Sequence, residues 1–148
     1  AEGARLEEEL RARTQALREF VGQAAKTSEG AQAAVFVRLR QRLQELLGGI
    51  PLDETRLAQE AAHLAERSDV SEEIARLRSH LEQFLGLLDA DSEVGKQLDF
   101  LLQEMNRESN TLLSKAPAFD AGGLDMTRVA LAMKAEIERL REQVQNLE

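Results

Sequence analysis

Apolar residues recur along this chain at steps of three and four, and almost nothing interrupts them. Val70, Ile74, Leu77, Leu81, Phe84 and Leu88 form one seam, and Met126, Val129, Met133, Ile137, Leu140, Val144 and Leu147 form another. That spacing returns a side chain to the same face of an α-helix at every turn, whereas a strand requires alternation at two. Ala, Leu, Glu, Arg and Gln dominate, all good helix formers, and the only prolines are Pro51 and Pro117. The reading is an all-α fold: an elongated antiparallel helical bundle of about five helices with coiled-coil-like seams.

Residues 1–50 form a long N-terminal helix or a helix pair, and residues 51–148 form a bundle. Leu6, Leu10, Leu17 and Val21 mark the first buried stripe. Thr27-Ser28-Glu29-Gly30 is a soft point, after which Val35, Leu39, Leu43 and Leu46 resume the pattern; one helix and two are equally compatible with it. Gly48-Gly49 with Pro51 is a firm stop. A second helix spans about residues 53–67 on Leu57, Ala61 and Leu64. Asp69-x-x-Glu72 resembles a capping box for the third helix, with Ser71 as an alternative cap, and residues 89–92 read as a polar turn. The fourth helix spans about residues 93–113 and the fifth runs from about residue 125 to the end. Residues 114–124, with Pro, two Gly and small side chains, read as a mobile loop. Long seams of this kind leave apolar surface uncovered, so self-association into a homo-oligomer is expected. Phe100 points the same way, since it projects opposite Leu98.

Composition narrows the function classes. With no Cys there are neither disulfides nor thiolate metal sites, which suits a reducing, cytoplasmic setting. There is no apolar run of about eighteen residues and no signal-peptide pattern, so no membrane association is expected. A start at Ala1 without Met marks a piece of a longer or processed polypeptide. The net charge of −8 opposes nucleic-acid binding, which draws on a positive field. Five Phe and no Trp or Tyr make a poor base-stacking platform. No phosphate-binding Gly loop, nucleophile elbow or zinc-helix motif is present, and nothing calls for a small-molecule organic cofactor.

Two helices carry chemistry-bearing strips. On the third, Asp69, Glu73, Arg76 and His80 follow at four, three and four, beside the apolar seam. Carboxylates with one imidazole suit a divalent ion, Mn2+ or Mg2+, and His80 is a candidate general acid or base because the reference pKa of histidine lies near neutral. The same spacing equally describes a salt-bridge ladder. On the fourth, Leu98, Leu101, Leu102, Met105 and Leu112 make the apolar stripe, while Asp99, Gln103, Asn106 and Asn110 line a polar face. Those amides serve either a neighbouring helix or a ligand, because asparagine is otherwise a poor helix former. Glu104 and Glu108 form an acidic pair at a four-residue step, and Arg107 and Lys115 are phosphate-binding candidates. Glu60, four residues after Arg56, pairs with it or reaches the third-helix strip as a further ligand. His63 reads as an ordinary surface residue.

Three blocks together resemble one family. They are Arg56-Leu57-Ala58-Gln59-Glu60 with residues 69–80 (DVSEEIARLRSH); Gly95-Lys96 with Leu98-Asp99-Phe100, residues 103–112 (QEMNRESNTL) and Ser114-Lys115; and residues 131–138 (LAMKAEIE) with 141–148 (REQVQNLE). They cover about residues 53–148 and resemble the C-terminal half of the YicC/YloC family of bacterial metal-dependent endoribonucleases. Glu2-Gly3 resembles that half's start. The resemblance implies hydrolysis of phosphodiester bonds in single-stranded or flexible RNA. On that footing, His80, Glu73 and Glu104 are the catalytic candidates. Asp69, Glu72, Glu73 and Glu60 are the metal ligands, and Asn106, Arg107, Asn110, Lys115 and Arg76 are the substrate contacts. The family's upstream strand-rich domain is absent, and residues 116–124 are longer than its usual connection. A rival reading is therefore a non-catalytic oligomerisation and clamp module whose activity needs that domain; a third is a helical adapter for another nuclease.

Overall fold

A computed structural model describes residues 2–90 and 93–146, and all the regular structure in them is helical. The order is α1 (Glu2–Leu47), α2 (Glu54–Arg67), α3 (Ser71–Leu88), α4 (Gly95–Lys115), a 3-10 segment (Ala116–Gly122) and α5 (Gly123–Gln145). Among the described residues no helix is long and apolar enough to cross a membrane. Asp91, Ser92, Leu147 and Glu148, which the sequence assigns to a turn and to the last helix, lie outside the described residues.

The core follows the seams. Val70, Ile74, Leu77, Leu81 and Phe84 of the α3 seam are buried, as are Leu98, Leu101, Leu102, Met105 and Leu112 of α4. Met126, Val129, Met133, Ile137, Leu140 and Val144 of α5 join them, with Leu10, Leu17 and Val21 of α1. The helices α1, α3, α4 and α5 pack as a ring in which each touches two neighbours. Cross-helix polar pairs give their directions. Arg11–Asp89 and Arg18–Glu82 run α3 antiparallel to α1. Lys115–Glu73 and Arg76–Glu108 run α4 antiparallel to α3. Arg141–Asp99 and Lys134–Asn110 run α5 antiparallel to α4. The bundle is therefore up-down-up-down, the arrangement that short connections favour.

One open choice is decided and two local expectations are corrected. The soft point at residues 27–30 does not break α1, which is continuous for 46 residues, about 69 Å at 1.5 Å per residue. The 3-10 segment packs there, with Gly122 beside Thr27 and Ala31. Residues 114–124 are not a loop: α4 runs to Lys115, and the 3-10 segment buries Ala116 and Phe119 in the core. The capping box at Asp69-x-x-Glu72 does not form. Asp69 accepts from the Ser71 amide and hydroxyl, while Glu72 turns to Arg76.

Past the bundle α1 continues alone, stopped by Gly48 (φ 58°) and Gly49 (φ 143°), which take the left-handed conformations glycine tolerates. Asp53 then caps α2 by accepting from the Thr55 and Arg56 amides. Helix α2 packs back on α1, tied by Arg40 and Glu54 at 2.8 Å. Phe36, Val37, Leu46 and Ile50 are left exposed in this arm, and Phe100 is exposed on α4.

Candidate functional site

The antiparallel register of α3 and α4 brings the start of one helix beside the end of the other. Charged residues from both gather at that junction. Lys115 Nζ donates to Glu73 Oε1 at 2.9 Å and to the Asp69 carbonyl at 2.8 Å. Arg76 donates to Glu72 at 2.8 Å and, across the interface, to Glu108 at 3.3 and 3.4 Å. Glu73 and Glu108 are among the few buried charged residues, only 6% and 3% exposed. A buried carboxylate needs a counter-charge, and here each has one from the opposite or neighbouring helix. Glu73 Oε2 is buried and has no hydrogen-bond partner.

The electrostatics follow from these partners. The bond to Glu108 raises the Arg76 guanidinium above its usual value. The Ser71 hydroxyl, and next its amide, hold the Asp69 carboxyl below the usual carboxylate value by stabilising the ionised form.

Of the residues singled out in the sequence, Asp69, Glu72, Glu73, Arg76 and Lys115 therefore come together. His80 lies further along α3, half-buried, with a buried Nδ1 that has no partner. Since residue 73 faces 115 and 76 faces 108, the register puts His80 level with about Glu104 of α4. Asn110 accepts from Lys134 at 2.5 Å, and Asp99 takes Gln103 and Arg141, so much of the polar face of α4 serves α5. Asn106 is half-buried and Arg107 exposed on the same helix. Glu60 is exposed on α2, which packs against α1. His63 is exposed beside it.

A divalent ion needs several oxygen or nitrogen donors converging on one point. Among the described residues no group of three or more His, Asp or Glu is so arranged. The candidate set does not fit a metal as it stands. Lys115 holds Glu73, Arg76 holds Glu72, Asp69 bonds to Ser71, and Glu60 is on another helix.

Sequence reasoning missed the basic side chains of the arm. Arg38 and Arg42 of α1, Arg67 of α2 and Lys115 of α4 line one cavity of about 560 Å³ where the arm meets the bundle. The signal was present as Arg38 and Arg42 at a four-residue step, but spacing within α1 does not reveal which helix packs across from them.

Residues 24–148 match the family model described as endoribonuclease YicC-like, C-terminal. The chain is 37% identical over 148 residues to a probable endoribonuclease YicC of Clostridioides difficile, covering 99% of this chain and 49% of that protein. It is 44% identical over 111 residues to the protein of the same name from Haemophilus influenzae, covering 75% of this chain and 36% of that one. The chain thus spans about half, or less, of the length of these relatives. With a family match over most of its length, this chain belongs to the YicC-like endoribonuclease C-terminal family.

Proposed function

We propose that this chain is the helical half of an enzyme that hydrolyses RNA phosphodiester bonds, and that it grips and positions the strand rather than holding a complete hydrolytic centre. The observation that carries the second part is the self-neutralised junction of α3 and α4. Glu73 is held by Lys115, and Glu72 and Glu108 by Arg76, so these carboxylates balance fixed cations. The first part draws on the family and on the names of the two relatives. RNA as substrate and a cysteine-free sequence both suit a cytoplasmic setting. The exposed apolar arm of α1 supports assembly with a second copy.

His80 supports a second reading. Its buried, unpartnered Nδ1, level with Glu104, is the kind of group that acts as general acid or base once a substrate arrives. Under that reading the chain itself supplies a catalytic residue.

The test is cleavage of a fluorescent single-stranded RNA by this chain and by the full-length Clostridioides difficile relative. Each is assayed with Mn2+, with Mg2+ and with chelator. The expected result is cleavage by the relative and none by this chain. Cleavage by the chain alone, lost in His80→Ala with the helical signal intact, overturns the gripping role and establishes the second reading. The chelator arm reads directly whether a divalent ion is needed.

A further inference from the structure

The acidic balance of the chain hides one hollow walled by basic side chains. Acidic residues outnumber basic ones by 27 to 19, yet among the described residues the cavity between arm and bundle is lined by Arg38, Arg42, Arg67 and Lys115 and by no Asp or Glu. These cations come from three helices, so the fold, rather than a run of basic sequence, assembles them. Among the described residues Arg42 and Arg67 form no ion pair. Lys115 has three N–H donors and spends two on Glu73 and the Asp69 carbonyl. It is thereby fixed at the cavity wall with a donor to spare.

A second hollow of about 310 Å³ shares Val35 and Arg38 with the first and adds Lys26 together with one acidic residue, Asp125. The two make a track along α1, with cations from residue 26 to residue 42. Lys115 balances Glu73 and Arg38 has a partner of its own, which leaves Lys26, Arg42 and Arg67 spread along this length, an arrangement that suits repeated charges on a chain better than one small anion. Phe119, the one aromatic along the track, is buried, so there is no platform for stacking bases. We infer that this groove is a binding site for the phosphate backbone of single-stranded RNA, read through charge and without base contacts. This rests on the proposed function for the identity of the strand; the anion site itself does not.

The probe is a fluorescein-labelled oligouridylate, with binding measured by anisotropy over a range of salt. The variants are Arg42→Glu with Arg67→Glu, and Arg5→Glu with Lys96→Glu, two exposed cations at the opposite end of the bundle, as a control of equal charge change. Arg42 and Arg67 are exposed, and circular dichroism of each variant reports that the fold survives. The expected result is a loss of about tenfold or more for the groove pair, a smaller loss for the control pair, and a salt slope lower by about 1.4 for the groove pair, since each phosphate contact on a single strand contributes about 0.7. Oligoadenylate is expected to bind equally well. Equal losses in both variants overturn the site and leave only a general charge effect. Displacement of the oligonucleotide by an equal concentration of inorganic pyrophosphate overturns the backbone assignment in favour of a small-anion site. Cleavage by the full-length relative is scored separately, so failure of the groove and failure of the nuclease reading remain distinct.

Discussion

Glu73 is the residue whose neighbours matter most to its own survival. Its carboxylate is almost wholly buried, one oxygen has no partner, and the other depends on Lys115. Removing the ammonium leaves the charge uncompensated. For a fully buried pair that costs about 3–5 kcal/mol, but Lys115 is 31% exposed, and solvent reduces the loss to about 2 kcal/mol. Lys115→Met is therefore expected to lower the urea midpoint clearly, and Glu73→Gln in the same chain to restore about half of the loss, because an amide needs no counter-charge. Urea titrations of the two single variants and the double variant measure the coupling. Additivity within about 0.5 kcal/mol would mean that Glu73 has another source of charge. The sequence placed Glu73, Arg76 and His80 on one strip of α3, because helical spacing alone decides that, but it also put Asp69 there, which precedes the helix start at Ser71. It had no way to pair Glu73 with a lysine 42 residues away, or to show that Glu108 would be among the most buried charges. Those facts depend on the register of α3 against α4.

Elements were legible where a seam was long. The apolar positions of α3, α4 and α5 are buried because a helix with one apolar stripe has only one way to hide it. The segment after Lys115 was misread because Pro, Gly and Ala report turn chemistry locally, whereas Phe119 and Ala116 are drawn into the core by what surrounds them. Gly123, which opens α5 directly after that segment, stands in a tight place: a Cβ there would meet the Ala116 carbonyl oxygen at 2.7 Å. Backbone cannot swing aside as a flexible side chain can. Gly123→Ala is expected to destabilise by about 1–3 kcal/mol, as overpacking does. Gly30, in the middle of α1, has open space where its Cβ would sit, so Gly30→Ala is expected to stabilise by about 0.5–1 kcal/mol through helix propensity. Thermal melts of both variants check the pair. Equal shifts would show that the 3-10 segment adjusts freely and that its packing on α1 is not a fixed constraint.

At the scale of the molecule, the bundle and the arm obey different rules. The ring of α1, α3, α4 and α5 closes on itself and hides its seams, and seam spacing with short connections made that much readable. Past the ring α1 has only α2 for company, and one helix cannot cover all sides of another. Val37 and Leu46 are consequently 55% and 78% exposed on the arm, with Phe36 and Ile50 nearby. Burying such side chains against a second copy gains about 25 cal/mol for each Å² removed from water, without disturbing the ring. The chain is expected to sediment as a multiple of its 16.5 kDa mass. Val37→Glu with Leu46→Glu is expected to reduce it to the single mass at unchanged helical signal, since both side chains already face solvent and their loss costs the fold little. A wild-type chain that sediments at the single mass, up to its solubility limit, would sink self-association through the arm. The exposed surface would then be explained by residues outside this chain, in the half of the relatives' length that it does not span.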